Sequence, residues 1–194
     1  MNNSVRILST EILSKNWYKL YKYTYETTDK HGNTIVQSRE AYDRGNGAVI
    51  LLYNPELKTV VLTRQFRLPT FVNGNENGLM IEACAGLLDQ DNPEDCIRRE
   101  TEEETGYRIR DVRKIFEAYM SPGSVTEILY FFVAEYTHHQ KIGEGGGVDE
   151  DENIQVLELD FQKALTMMKT GEIKDAKTIM LLQYALINRL INIE

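Results

Sequence analysis

The sequence predicts a mixed α/β layered fold, and three patterns predict it. Short strand-like segments separated by turn residues fill the first half of the chain. One capped helix stands near the middle with more strands behind it, and two helical segments close the chain. Taken in order, Tyr21, Tyr23 and Tyr25 alternate with Lys22, Thr24 and Glu26, the period of a strand built from strand-favouring residues. Asp29-Lys30-His31-Gly32-Asn33 supplies a turn and Thr34-Ile35-Val36 starts a returning strand, so 17–43 reads as a hairpin or meander. Gly45-Asn46-Gly47 punctuates the chain and divides an N-terminal β layer, 1–44, from a main domain, 45–194. Ala48–Tyr53 and Thr59–Phe66 are two further strands around a turn at Asn54-Pro55-Glu56, and 73–78 is an open loop. Asn92 caps a helix from Glu94 to Glu104, with Pro93 in its first turn and Gly106 at its end. Strands are expected at 112–120, 127–136 and 154–159, and helices at 161–170 and 176–193.

A chain of 194 residues, 42% apolar, can bury a core without disulfides or metal. Its longest apolar runs fall far short of the roughly 20 residues that span a bilayer, and its N-terminus lacks the pattern of a signal peptide. No membrane partner is therefore expected, and Cys84 and Cys96 read as free thiols in a reducing cytoplasm. A formal net charge of -8 argues against a nucleic-acid partner. An acidic protein that binds an anionic substrate needs a divalent cation between the two.

The Glu94–Glu104 segment is where that cation finds ligands. Eight of its eleven residues are charged, and only Cys96, Ile97 and Thr101 are expected to face a core. Glu100, Glu103 and Glu104 fall on one flank at helical spacing. Two unit charges ~6 Å apart repel by roughly 3 kcal/mol at an effective dielectric of about 20, so a bound cation relieves the helix. Carboxylate oxygens select hard ions such as Mg²⁺, Mn²⁺ or Ca²⁺. An EF-hand starting at Asp89 fails, because Pro93 and Glu94 stand at its fifth and sixth positions, where a sharp turn needs glycine. The chain has no phosphate-binding P-loop, no dinucleotide fingerprint and no nucleophile elbow. His31, His138 and His139 sit in expected turns and read as surface residues.

Gly86, Asp91, Arg99-Glu100, Glu103-Glu104, Gly106 and Tyr107 resemble the Nudix box, Gly-x5-Glu-x7-Arg-Glu-U-x-Glu-Glu-x-Gly-U with U aliphatic. Asp91 stands for the first Glu, the loop after Gly86 is one residue short, and Thr101 and Tyr107 replace aliphatic residues. Arg64-Gln65-Phe66-Arg67, Glu82 to Gly86, Ser121-Pro122-Gly123 with Glu127, and Glu152-Asn153-Ile154 are similar to the nucleoside-diphosphate-sugar branch that includes ADP-ribose pyrophosphatases. Tyr42 to Gly47, Gly145-Gly146-Gly147 and Asp175-Ala176-Lys177-Thr178 resemble above all the bacterial GDP-mannose pyrophosphatases. The resemblance spans nearly the whole chain.

It implies a Nudix α/β/α sandwich with an N-terminal antiparallel β layer exchanged in a homodimer. The implied reaction is Mg²⁺-dependent hydrolysis of a nucleotide sugar, GDP-mannose to GMP and mannose 1-phosphate, with Mn²⁺ a possible substitute. ADP-ribose hydrolysis and a non-catalytic ligand-binding regulator are the alternatives; the intact Glu100, Glu103 and Glu104 speak against the second. Carried over by position, Glu100, Glu104 and the Ala85 carbonyl hold metal, with Glu103 in support. Arg99 pairs with the acidic cluster, and Glu152 serves as general base and further metal ligand. Glu150 and Asp151 are its competing neighbours in the acidic loop. Arg67 contacts a phosphate; Glu127, Asp151 and Lys177 meet sugar or phosphate; Ala85, Gly86 and Leu87 line the substrate with Glu104. Arg39, Glu40 and the exchanged layer's Trp17 frame the nucleobase.

Overall fold

Three long strands, β1 (Arg6–Lys15), β2 (Lys19–Thr28) and β3 (Thr34–Asp43), open the chain and pair antiparallel in the order β1-β2-β3. They are seen in a computed structural model that describes residues 5–148 and 153–192. The tyrosine alternation does form β2, and Asp29 closes the expected turn by accepting from the backbone N–H groups of His31 and Asn33, each at 2.8 Å. β1 lies ahead of the region read as strand. Its register shifts between Ile7 and Ser9 and again between Ile12 and Ser14, and these bulges break the alternation that would have revealed it.

These strands form one unit with Tyr119–Ile128, a turn that the sequence groups with the main domain. Tyr42 donates its backbone N–H to the Ser124 carbonyl at 2.8 Å, and Thr126 returns a bond to the Tyr42 carbonyl at 3.1 Å. Asn46 accepts from the Ile128 N–H through its side chain at 2.9 Å. No described residue of β1, β2 or β3 is fully buried.

The second unit runs over 47–118 and 129–192 and holds the core. Its sheet contains β4 (Gly47–Asn54), β5 (Thr59–Phe66), β8 (Arg113–Tyr119), β9 (Ile128–Glu135) and β10 (Gln155–Asp160) in the order β10-β5-β4-β9-β8. Short β6 (Leu79–Glu82) pairs with β5, and β7 (Ala85–Leu87) pairs with β4. β4 runs parallel to β9 and antiparallel to β5 and β7, so the sheet is mixed. Central β4 is buried on both sides, the mark of a strand covered by helices on both faces.

Ala48, Ile50 and Leu52 pack with Cys96 and Ile97 of α2 (Pro93–Thr105), together with Val61, Tyr107 and Phe132. Val49 and Leu51 alternate with them and are buried as well. α3 (Phe161–Thr170) packs on β5 and β10, and α4 (Ala176–Ile187) packs on β4. A one-turn helix, α1 (Leu68–Val72), follows β5 in the short stretch between the expected strand and the expected loop at 73–78, to which the sequence reading gave no element. α4 ends at Ile187 rather than near 193, because Arg189 turns to a φ of 53° and breaks the helical path.

Candidate active site

The acidic helix is held at both ends by its own local chemistry. The Asn92 side chain accepts from the N–H groups of Glu94 and Asp95 at 3.1 and 3.0 Å, and Pro93 occupies the first turn. At the other end Gly106 adopts a φ of 76° and donates its N–H to the Glu102 carbonyl. The glycine-rich loop then folds back on this terminus. Gly146 and Gly147 donate to the carbonyls of Glu104 and Glu103 at 2.9 and 3.1 Å, satisfying acceptors that a helix end leaves open. A side chain at Gly145 would run into the Glu104 carbonyl, so three consecutive glycines with positive φ are what this return path allows.

Burial within α2 departs from the sequence expectation at one decisive residue. Cys96, Ile97 and Thr101 face the core as expected, but Glu104 is buried with them, only 5% exposed. Burial pushes its carboxyl up to about 7, and the nearby Glu100 charge adds to the rise. Contact with the Cys84 thiol, the Arg67 charge and the Ala85 N–H pull the other way without cancelling it. Cys84 is itself driven well above the ordinary thiol value, first by burial and then by Glu104, so its sulfur keeps its proton. The Oε2 atom of Glu104 is buried with no hydrogen-bond partner among the described residues.

Glu100 lies over the strand that precedes the helix. β7 is held against β4 with Ala48 opposite Gly86 and Val49 opposite Ala85. A Cβ at Gly86 would occupy the space of the Glu100 carboxylate, so only glycine lets that side chain settle against the backbone. Cys96 donates its thiol to the Leu87 carbonyl at 3.2 Å and ties the same strand to α2. Arg99 bonds Glu100 at 2.8 Å and Glu103 at 3.1 Å, and reaches Asp91 at 3.5 Å. One guanidinium therefore restrains two box glutamates together with Asp91, which stands in the place of the box's first Glu.

These groups fit a hard cation. The buried, donor-free Glu104 oxygen is a feature that a metal ion completes, and Glu100 and the Ala85 carbonyl flank the same strand–helix junction. Among the described residues no set of three acidic, His or Cys side chains converges as a ready-made cage. Glu152, together with Glu150 and Asp151, lies outside the described residues.

A second cluster joins three distant segments. Glu82 ends β6 at 5% exposure, and each of its oxygens takes a different cation: Oε2 bonds Arg67 Nε and Oε1 bonds Lys177 Nζ, both at 2.7 Å. Lys177 also bonds Asp175 at 2.8 Å, while the other Asp175 oxygen caps α4 by accepting from the Thr178 N–H and hydroxyl. Thr178 in turn accepts from the Ala83 N–H at 2.7 Å. Burial raises the Glu82 carboxyl, but Lys177 and Arg67 outweigh it and hold the group below the usual carboxylate range. Lys177 is pulled down by burial and pushed up further by Glu82 and Asp175.

Trp17, Arg39, Glu40 and Glu127 belong to the first unit. Trp17 sits between β1 and β2, 83% exposed, edge-on to Tyr18, which packs against Tyr42 and lies under the Arg44 guanidinium. An open cavity of about 330 Å³ beside it is lined by Lys15, Lys19 and Arg44 among others. Arg39 and Glu40 are exposed on β3, opposite Tyr23 and Lys22. Glu127 pairs with Arg44 at 3.6 Å. The roles of Glu82, Asp175 and Cys84 escaped the sequence reading. A lone carboxylate ahead of the buried Ala83 and Cys84 was the available signal for Glu82.

Residues 43–182 match the family model described as the NUDIX domain, and residues 4–42 match the GDP-mannose pyrophosphatase NudK N-terminal domain. The chain belongs to the Nudix family. Its relatives include a protein of Yersinia enterocolitica named GDP-mannose pyrophosphatase, 58% identical over 98% of this chain and all of that protein. One of the same name from Escherichia coli O157:H7 is 57% identical over 99% of this chain and all of its own length. Another from Yersinia pestis strain Pestoides F is 60% identical over 97% of this chain and 94% of its own. The crystal structure of an ADP compounds hydrolase superposes with a TM-score of 0.70 at 16% identity, covering 96% of this chain and 94% of that one, and so shares the Nudix fold. Nudix proteins typically use a divalent metal, in keeping with the donor-free oxygen of Glu104. Among the described residues no helix is long and apolar enough to cross a membrane.

Proposed function

We propose that this Nudix protein is a GDP-mannose pyrophosphatase, cleaving GDP-mannose with water into GMP and mannose 1-phosphate. The observation that carries the reading is full-length identity: 58% over 98% of the chain to a protein of that name, with the N-terminal module included. Glu100, Glu104, the Ala85 carbonyl and Glu152 are the groups assigned to a Mg²⁺ site, with Mn²⁺ an acceptable substitute. Bound there, the cation neutralises charge on the non-bridging phosphate oxygens and acidifies water. Arg99 keeps Glu100 and Glu103 in place. Arg67 and Lys177 bind the diphosphate and the sugar-phosphate end, assisted by Glu127 and Asp151, while Ala85, Gly86, Leu87 and Glu104 line its path. Glu152 takes the proton of the attacking water as the bridging P–O bond breaks.

The working form in this reading is a homodimer. β1 supports it, being exposed along nearly its whole length while carrying Ile7, Leu8, Ile12 and Leu13. A three-stranded sheet of this kind gains stability by covering such exposed apolar side chains. Arg39 and Glu40, with Trp17 of the partner subunit, then frame the guanine. The proposed setting is the cytoplasm, where the buried free thiols Cys84 and Cys96 stay reduced.

Initial rates on GDP-mannose, other GDP-sugars and ADP-ribose, each with Mg²⁺ and with a chelator, test the proposal. The highest kcat/KM is expected for GDP-mannose, with products GMP and mannose 1-phosphate. A kcat/KM at least about tenfold higher for ADP-ribose would move the assignment to that substrate. Full activity in chelator would remove the metal.

A further inference from the structure

We infer that Glu82 is a positioning residue that holds Arg67 and Lys177 as one preset fork for the two phosphates of the substrate. The inference rests on reading those two cations as diphosphate contacts, and it adds the group that aims them. Glu82 divides its carboxylate evenly, one oxygen per cation at 2.7 Å. Arg67 spends only Nε on this pairing, so its two terminal Nη groups have no partner among the described residues. Because a guanidinium is planar, anchoring Nε fixes the direction in which the Nη donors point. Lys177 is held twice, by Glu82 and by Asp175, and a tetrahedral ammonium with two donors committed has the third direction set. The exposures are graded to match: Glu82 is buried, the Lys177 side chain is 14% exposed and that of Arg67 is 40% exposed. The anchor thus lies deepest and the donors lie toward solvent.

The fork's anchor also stands just ahead of β7, the strand that leads into the acidic helix. Glu82 is three residues ahead of Ala85 on the same stretch of chain, and Ala83 is bonded to Thr178 of α4, one residue after Lys177. The same short segment therefore sets the cationic fork and the carbonyl assigned to the metal. Left alone, a lysine or arginine side chain must be ordered when substrate binds; here the ordering is done in the free protein. A plain fold-stabilising ion pair would need neither the even division of one carboxylate nor the unspent Nη edge.

The test compares Glu82→Gln, Glu82→Asp, Arg67→Ala and Lys177→Ala on GDP-mannose at saturating Mg²⁺, with circular dichroism and gel filtration confirming each fold. Glu82→Gln keeps the shape but cannot accept from both cations, so KM should rise at least about tenfold while kcat stays within about threefold. Glu82→Asp retains the charge but is one methylene too short to span both partners, and its KM should rise at least about fivefold. It decides the matter if the Gln variant does not fold. Wild-type KM in a folded Glu82 variant, with lowered thermal stability alone, overturns the inference and leaves a structural ion pair. Arg67→Ala and Lys177→Ala should each raise KM at least about tenfold. If they do and neither Glu82 variant does, only the role of Glu82 falls; if neither alanine variant changes the kinetics, the reading of the diphosphate contacts fails and takes the fork with it.

Discussion

Glu104 makes the stability of the metal-free protein depend on pH in an unusual sense. Its carboxyl is held up to about 7 against an ordinary value of 4.5, chiefly by burial. The native state therefore binds a proton that the unfolded chain has released, and does so between those two values. Below about 4.5 the group is neutral in both states and its contribution is fully present; as pH rises toward 7 that stability is lost, and above 7 it stays lost. A shift of roughly 2.5 units at 1.36 kcal/mol each is worth about 3 kcal/mol. Glu104→Gln removes the titration while nearly preserving shape. In chelator, the difference in unfolding free energy between variant and wild type should grow with pH from 5 to 8, in favour of the variant, by up to about 3 kcal/mol. Taking the difference cancels carboxyls shifted the other way, such as Glu82. Mg²⁺ should reverse the order, stabilising the wild type and not the variant. The same substitution should lower kcat at least about 10²-fold. Urea unfolding followed by circular dichroism at several pH values measures all but the last. Parallel pH profiles for the two proteins in chelator would refute the argument, because Glu104 would then titrate as an exposed carboxylate does.

Three further outcomes are expected. Gly86→Ala puts a methyl group where the Glu100 carboxylate lies, so the Mg²⁺ concentration for half-maximal rate should rise about tenfold or more; a wild-type Mg²⁺ curve would mean Glu100 does not need that position. The protein should run as a dimer by light scattering, and a chain beginning at Gly45 should become monomeric or insoluble; a fully active monomer from that truncation would rule out a shared site. In the acidic loop, Glu152→Gln should lower kcat with little change in KM, Asp151→Asn should act mainly on KM, and Glu150→Gln should do little, all at saturating Mg²⁺. The largest kcat loss at Glu150 would displace Glu152 as the base.

α2 was legible in the chain almost to the residue. Asn92, Pro93 and Gly106 act through hydrogen bonds and dihedral angles within one turn, and such signals survive outside any tertiary context. The same holds for the β2–β3 hairpin, whose alternation and Asp29 turn are local, and for the acidic spacing that pointed to a cation. What escaped was decided over distance. β1 was hidden by two bulges that only its pairing with β2 makes sense of. The end of α4 was masked by apolar residues continuing past the helix to Ile191, which is buried by the fold rather than by helical periodicity. The sequence left Glu104 out of the residues expected to face the core, yet packing against β7 and Cys84 buried it, and burial is a property of every neighbouring element at once. Glu82 shows the limit most plainly: its two cations come from positions 67 and 177, and no local pattern joins residues that meet only after the sheet has formed and α4 has docked on it. Local hydrogen bonding is written in neighbouring residues, whereas desolvation and ion pairing are set by whichever segments the fold brings together.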